Sequence, residues 1–520
     1  MAGPIRVLAQ QTLPVFSLRG PLDTHRILSD WLQQSLPVAG LPLTADTARY
    51  QFDGGYADVN QRDGALWIAK DVLWTPPALD DAAALTRLPT TVPVAMAGRS
   101  LSEFAGHFTG GDYDGITITP ESSWTNGTRL VIWRRKGNAR QEYVLDRTES
   151  LRLVLRAPAH GVDAVPISGG GRVAGRTGPD GQWLGLSVAV PRIGASVGQF
   201  AVVNRGGLDE QMRARFALFD SVLVDAYLTY RVASSAFERF LCPFWNYEVV
   251  GRIGTRYMPL GYFPMLAVEF PGITPLAQGP PEPQPPQRTA HEGVVWGGAA
   301  GAKMLVSWLG ESAGKLLTSN AARLGAIKVM QHAGWTCRDE GNEACAEMDW
   351  NRLAASGINA ADLACYIGHA DGGGMQFRPP DAGLLHANVC RFGSQLKWVL
   401  CDACGPLQDP VAGAPVSAFY MWQRAFAGCR SLLGFATAQE PNGALVPLTL
   451  TYALRGQPLA KAWFQCACET HGSHDTPTWV AGLFASDGKT TTLDDRLGQF
   501  DAPVVSNRPD VLAGLWIPIG

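Results

Sequence analysis

Two short runs in the second half of the chain each end in a chemically reactive residue. Residues 363–374 are LACYIGHADGGG and residues 396–405 are LKWVLCDACG. Each run begins with a mainly apolar segment that has the length of a buried strand. His369 follows the first segment and Cys404 follows the second. Because ligands bind beyond the carboxyl ends of strands in open α/β sheets, we expect both side chains at the same sheet edge.

A cysteine beside a histidine is a combination that supports nucleophilic catalysis. The thiolate is the nucleophile, and the imidazole can activate it and then protonate a leaving amine. The glycines at 372–374 allow a sharp turn after the histidine and leave room for a substrate. The sequence therefore predicts a nucleophile and acid/base pair formed by Cys404 and His369.

Helix and strand signals alternate around these motifs. Ser319 can cap a helix over 320–332, and Gly334 lies where that helix would end. Residues 363–367, 396–400 and 432–436 are predicted strands, and Pro458 can open a further helix. This alternation indicates an α/β/α sandwich with a largely parallel sheet.

A proline-rich segment, PLAQGPPEPQPPQ at 275–287, separates this region from the preceding one. Proline favours extended, semi-rigid geometry, so we predict regions at 1–274 and 291–520 joined by a linker at 275–290. The first region is predicted to be strand-rich α+β. It has hairpins around 53–55 and around the basic turn 134–140, and helices at 22–34 and 208–219.

Composition narrows the functional classes. The chain has 520 residues, 46% hydrophobic and 17% charged, with a net charge of −3, which is typical of a folded protein without a nucleic-acid or anionic-membrane partner. Its 10 cysteines do not form a disulfide pattern, and several lie in apolar runs as packed thiols would. No signal-peptide pattern and no membrane-spanning run is visible, so a soluble, cytoplasmic protein is expected, with non-classical secretion left open.

The quoted motifs resemble the caspase–gingipain–legumain superfamily of cysteine peptidases. Its pattern is a hydrophobic strand ending in His-Gly, then a hydrophobic strand ending in Ala-Cys, and this chain has Gly-His-Ala at 368–370 and Asp-Ala-Cys-Gly at 402–405. Residues 434–438 resemble the groove-lining strand that follows the catalytic cysteine in caspases. Still more similar is a group of bacterial proteins classed as a domain of unknown function within this superfamily. That similarity covers roughly 294–510, including Gly297-Gly298, Ala333-Gly334-Trp335 and the stretch from Trp422 to Phe435.

The resemblance implies a caspase-like fold and further site residues. The backbone amides of Ala370 and Cys404 would form the oxyanion hole. Alanine replaces the glycine usual after the histidine, but it keeps its amide. Asp402, two residues before the nucleophile, would bind a basic side chain, which implies cleavage after Arg or Lys of a protein or peptide substrate. No cofactor or metal is needed, although calcium activates some relatives. The first region would act as a propeptide-like or regulatory module, or recruit a regulatory partner.

Alternative interpretations remain open. Cys401 is a rival nucleophile, and Asp402 could merely cap the following loop. Cys401 and Cys404 also form a C-x-x-C motif, to which Cys466, Cys468, His471 and His474 could add zinc ligands, although the spacing is not that of a common zinc module. A catalytically inactive binding or assembly protein with this fold, and a peptide ligase or transpeptidase using the same dyad, are the other functional hypotheses.

Overall fold

Two large β-sheets organise the chain in a computed structural model. The structure describes residues 12–20, 28, 40–89, 98–109, 115–169, 171–217, 219–234, 239–253, 256–271, 301–309, 318–341, 350, 357–377, 384–393, 395–439, 442–471, 477–498 and 509–519. The predicted linker at 275–290 and most of the predicted helix at 22–34 lie outside these residues.

The described part of the first region is dominated by strands. The strands are β1 (Thr12–Leu18), β2 (Leu41–Pro42), β3 (Thr47–Phe52), β4 (Gly55–Asn60), β5 (Leu66–Lys70), β6 (Thr117–Asn126), β7 (Arg129–Arg134), β8 (Ala139–Val144), β9 (Arg147–Ala157), β10 (Val162–Ile167), β11 (Arg172–Thr177), β12 (Trp183–Ala189), β13 (Ile193–Ala201), β14 (Ser221–Ser234), β15 (Arg239–Ile253) and β16 (Arg256–Leu266). The α-helices are α1 (Ala82–Arg87), α2 (Gly98–Thr109) and α3 (Arg205–Arg215), and short 3-10 helices span Lys136–Asn138 and Pro158–His160.

The second region alternates strands and helices. The strands are β17 (Lys303–Trp308), β18 (Thr336–Gly341), β19 (Leu363–Ile367), β20 (Ala370–Asp371), β21 (Gly374–Gln376), β22 (Leu384–His386), β23 (Phe392–Gly393), β24 (Trp398–Asp402), β25 (Phe426–Ala427), β26 (Ser431–Phe435), β27 (Thr478–Ser486) and β28 (Val511–Ile519). The α-helices are α4 (Ser319–His332), α5 (Ala418–Trp422), α6 (Leu445–Leu454) and α7 (Leu459–Thr470), and 3-10 helices span Ile358–Ala360, Ala387–Val389, Pro410–Ala412 and Thr492–Asp494. The chain is therefore mixed α/β and rich in strands, as the sequence predicts.

The first sheet has the order β13-β1-β15-β14-β10-β9-β11-β12-β5-β4-β3-β2, with β16 beside β15 and β6 beside β9. The predicted hairpin at 53–55 is present, because β3 and β4 pair antiparallel across a turn whose Gly54 has a φ of 73°. The predicted helix at 208–219 begins earlier and ends earlier, as α3. Asn204 determines its start by accepting a hydrogen bond from the Gly206 backbone N–H.

The second sheet has the order β18-β17-β19-β24-β26-β27-β28-β7-β8. The strands from β18 to β26 run parallel and the later pairs run antiparallel. Both faces are covered, since one core cluster packs α4, α6 and α7 on one face, and a second cluster packs α5 and the long connections on the other. Strands β19 and β24 are buried at every position, which explains why they appear in the sequence as continuous apolar runs.

The predicted strand at 396–400 is displaced by two residues in the structure. Leu396 is held in a turn by Gly393, and the Lys397 N–H donates to the Asp362 carbonyl at 2.9 Å, so the ladder with β19 begins at Trp398. The extension at the other end brings Asp402 into the strand. This displacement moves the strand end closer to Cys404.

The β7–β8 hairpin belongs to the first region in sequence and to the second sheet in space. It is the hairpin predicted around residues 134–140, and its tip at 136–139 is exposed. Strand β7 pairs antiparallel with β28, from Arg134 opposite Val511 to Arg129 opposite Trp516. Arg140 also forms an ion pair with the buried Asp409 carboxylate. The predicted division at 275–290 therefore does not coincide with the division between the two sheets.

Candidate active site

The histidine and cysteine motifs leave neighbouring parallel strands. Strands β19 and β24 pair in register from Leu363 opposite Trp398 to Ile367 opposite Asp402. Just beyond, the Gly368 backbone N–H donates to the Asp402 carbonyl at 3.2 Å. The segments that carry His369 and Cys404 thus begin side by side at the carboxyl edge of the parallel strands, which is the placement expected from the sequence.

The backbone of His369 is fixed by its own loop. The Tyr366 hydroxyl and the Gln376 backbone N–H both donate to the His369 carbonyl, at 2.9 and 2.8 Å. Ala370 follows at the start of β20, opposite Met375 in a small antiparallel ladder. Glycine is required before the histidine, because a Cβ added to Gly368 would lie 2.3 Å from the Tyr366 hydroxyl oxygen.

Cys404 lies beyond the end of β24 and is 4% exposed. Its Sγ accepts a hydrogen bond from the Gln439 backbone N–H at 3.4 Å and is 3.8 Å from the Gln439 carbonyl oxygen. Burial raises the pKa of the Cys404 thiol to about 12, and the nearby Asp402 carboxylate adds to the increase while the Gln439 N–H opposes it. In this conformation the thiol is protonated at neutral pH, so the nucleophile is not activated.

The rival Cys401 has a different environment. It lies inside β24, is fully buried, and has its Sγ 3.8 Å from the Met375 sulfur. Burial raises the pKa of Cys401 well above its usual value. Cys401 is therefore a core thiol in this structure, whereas Cys404 occupies the loop at the strand end.

Asp402 is joined to a polar chain that the sequence analysis did not find. Gln439 Nε2 donates to Asp402 Oδ1 at 2.6 Å, and Gln439 Oε1 lies 3.0 Å from His471 Nε2. On its far side, His471 Nδ1 is 2.9 Å from the Ala467 carbonyl oxygen. Burial raises the pKa of Asp402 to about 6, although the hydrogen bond from Gln439 counteracts this increase. Asp402 is thus held by a side-chain amide instead of capping the loop that follows.

Gln439 could have been found by the same reasoning that identified Cys404. It lies four residues after the end of β26 (Ser431–Phe435), the next parallel strand, at the same edge of the sheet. His471 offers no comparable signal, because it follows the end of helix α7 and comes into contact with Gln439 only through tertiary packing.

The first region closes this site. The rings of Phe216 and Phe219, at and just beyond the end of α3, pack edge-on against the His369 ring, each with centroids 6.2 Å away. On β16, Leu260 lines a small cavity together with Cys404, and the Tyr262 backbone N–H donates to the Gln439 carbonyl at 3.2 Å. The cavity volume is only about 10 Å³. That is the space of about one water molecule, so no peptide reaches Cys404 in this conformation.

The zinc alternative concerns Cys401, Cys404, Cys466, Cys468, His471 and His474. Within the described ranges, no group of three or more His, Cys, Asp or Glu side chains is arranged to hold a metal ion. Of the ligands considered for zinc, His474 lies outside the described residues, and His471 is engaged with Gln439 and Ala467.

None of the helices in the described ranges has the length and apolarity that a membrane crossing requires.

A family profile and solved structures are similar to parts of this chain. The profile of a family described as "Domain of unknown function (DUF6345)" matches residues 310–517, a range that contains His369 and Cys404. No curated protein matches the chain. Among solved structures, an uncharacterized protein from Eubacterium rectale ATCC 33656 is similar at 9% identity and a TM-score of 0.27, covering 50% of this chain and 84% of that one.

Proposed function

We propose that the second region is a caspase-like cysteine endopeptidase whose site is closed by the first region. Cys404 is the nucleophile and His369 is the acid/base. The observation that carries the proposal is the Gly368–Asp402 backbone hydrogen bond at 3.2 Å, because it aligns the starts of the two reactive loops. Both loops then follow strands that are buried along their whole length, which is the rigid support a catalytic pair needs.

The reaction follows from the chemistry of the pair. In an open state, the His369 imidazole takes the proton of the Cys404 thiol, and the thiolate attacks the substrate carbonyl carbon. The backbone amides of Cys404 and Ala370 stabilise the oxyanion. His369 then gives its proton to the leaving amine, and water hydrolyses the thioester. Asp402, with a pKa of about 6, is mostly ionised at pH 7.5, so it can pair with an Arg or Lys side chain before the cut.

The closed conformation makes opening a part of the proposed function. The contacts of Phe216, Phe219 and Leu260 must be released before a peptide can reach the dyad. Release also brings water to Cys404, and this removes the main cause of its raised pKa. The enzyme is therefore latent in the conformation described, and binding of a partner, proteolysis or calcium would supply the trigger.

The test is turnover of fluorogenic peptides that differ only in the residue before the cut. We expect cleavage after Arg and Lys by the full chain carrying Leu260→Ala, which loosens the closure, and less by the wild type. Cys404→Ala in the same background should abolish turnover, whereas Cys401→Ala should retain it. Truncation at the linker is a poor alternative, because it would remove β7 and β8 from the second sheet.

Specificity is tested separately with Asp402→Asn. If Asp402 binds the basic side chain, this substitution should reduce kcat/KM for Arg and Lys peptides by about tenfold or more, with less effect on peptides carrying neutral residues. If kcat/KM falls equally for all peptides, Asp402 does not bind the basic side chain, and its role is to hold Gln439 through their hydrogen bond.

A non-catalytic binding or assembly protein is the second candidate. The raised pKa and deep burial of Cys404 favour it, because an inert thiol has these properties. Absence of turnover in the wild type and in the loosened chain, with and without calcium and after limited proteolysis, would contradict the peptidase and favour this candidate.

A further inference from the structure

A polar cavity lies between the two regions, away from the candidate dyad. Its volume is about 320 Å³, and it lies where the first sheet meets helices α6 and α7. Arg172, Arg239, Asp63, Tyr452 and Glu469 are among its lining residues. The volume is at the lower end of the range of small-molecule pockets, about 300–1,000 Å³.

Arg172 is the unusual residue of this cavity. It begins β11 and is 6% exposed, yet within the described ranges it makes no ion pair. Its Nε donates to the Ser187 hydroxyl at 2.8 Å, which fixes the guanidinium plane and leaves the two terminal nitrogens for other partners. A buried guanidinium without a carboxylate partner is costly, so its retention points to a partner that is supplied from outside the chain.

The Asp58 carboxylate cannot serve as that partner. Both of its oxygens are held by Arg49, whose Nε and Nη2 each donate at 2.7 Å. Asp58 Oδ2 also accepts from Gln465 Nε2 at 2.6 Å, which ties this wall of the cavity to helix α7.

Glu469 and Asp63 are also engaged. Glu469 accepts from Gln465 Nε2 at 2.6 Å and from the Tyr452 hydroxyl at 3.1 Å. Asp63 pairs with Arg239 at 3.5 Å. Asp58, Asp63 and Glu469 therefore have other donors, and none of them forms an ion pair with Arg172, although the charges of Glu469 and Asp63 attract it.

We infer that this cavity is a binding site for a small oxyanion-bearing molecule, a carboxylate or a phosphate, anchored by Arg172. The terminal nitrogens of the guanidinium, which have no hydrogen bond among the described residues, can donate two parallel hydrogen bonds to such a group. The bonded network of Asp58, Gln465 and Glu469 keeps the pocket formed before the ligand arrives. The inference stands independently of the peptidase proposal.

The experiment is titration calorimetry of the full chain with inorganic phosphate and, separately, malonate, at an ionic strength kept constant with chloride. Saturable binding of one probe is expected, and which of the two binds identifies the ligand class. Arg172→Gln should weaken binding by ~10- to 100-fold, the loss of one charge-assisted pair. The matched control is Arg156→Gln, which removes an arginine from the exposed face of the same sheet and should leave the affinity unchanged.

Thermal denaturation without added anion gives a second readout. Burial lowers the pKa of Arg172 despite the attraction of Glu469 and Asp63, so the buried charge is costly, and the melting temperature of Arg172→Gln should be equal to or higher than that of the wild type. Arg172→Lys should retain the fold and still bind the probe more weakly, because it lacks the planar fork. Three results would each overturn the inference. The wild type could bind neither probe, or both Arg172 variants could bind with unchanged affinity. The third is a melting temperature of Arg172→Gln well below that of Arg156→Gln.

Discussion

Closure of the candidate site by β16 gives a measurable prediction for Leu260→Ala. Leu260 is fully buried and lines the small cavity beside Cys404. Truncation of a buried leucine to alanine costs about 2–5 kcal/mol. If about 2 kcal/mol of that loss falls on the contact between β16 and the site, the population of open molecules rises by roughly 30-fold.

The chemical readout is alkylation of Cys404. With a pKa of about 12, the closed thiol has about 3,000-fold less thiolate at pH 7.5 than an ordinary cysteine with a pKa of about 8.5. Reaction with iodoacetamide therefore proceeds almost entirely through the open state. We expect Leu260→Ala to accelerate labelling of Cys404 by roughly 30-fold under native conditions, as quantified by mass spectrometry of the digested protein.

Two internal comparisons separate local opening from general unfolding. Leu228→Ala removes a buried leucine from β14 in the same core cluster and should not raise the labelling of Cys404 to the same extent. Cys401 lies inside β24, so its labelling reports loss of the strand itself. Equal acceleration by both leucine variants, or parallel labelling of Cys401 and Cys404, would refute closure by β16.

Two further predictions concern buried charges. Burial, followed by the Asp58 charge, raises the pKa of Glu469 from 4.5 to about 7, so its contribution to stability is present below pH 4.5 and is lost as the pH rises through 7. Glu469→Gln should therefore be more stable than the wild type by up to about 3 kcal/mol at pH 8, and calorimetry should show the difference disappearing near pH 4.5. Arg140→Ala should lower stability by about 2 kcal/mol, because it leaves the buried Asp409 carboxylate without its cation. Substitution of the exposed Lys136 by alanine should lower stability by less than about 0.5 kcal/mol. If the two variants have the same free energy of unfolding, the role given to Arg140 is wrong.

Local patterns explain which elements could be predicted. Strand β19 occupies the predicted residues 363–367, because its continuous apolar run is bounded by residues that end it. Helix α4 spans Ser319–His332 and ends before Gly334, as predicted, and the φ of 84° at Gly334 suits glycine. The predicted cap is wrong, because Ser319 is the first residue of the helix and Thr318 occupies the cap position. Strand β24 was displaced from its prediction because hydrogen bonds to Asp362, a residue distant in sequence, determine where its ladder begins.

Taken by itself, the sequence determined the alternation of strands and helices in the second region and the position of His369 and Cys404 beyond two apolar strands. These features depend on hydrophobic periodicity and turn residues, which act over a few neighbouring residues. Only the tertiary structure decided that β7 joins β28, that Gln439 links Asp402 to His471, and that β16 closes the site. The placement of the buried Arg172 beside a cavity, hydrogen-bonded to Ser187, belongs to the same group. Each of these features depends on contacts between residues far apart in the chain. The packing of whole strands and helices determines such contacts, and no short sequence pattern encodes them.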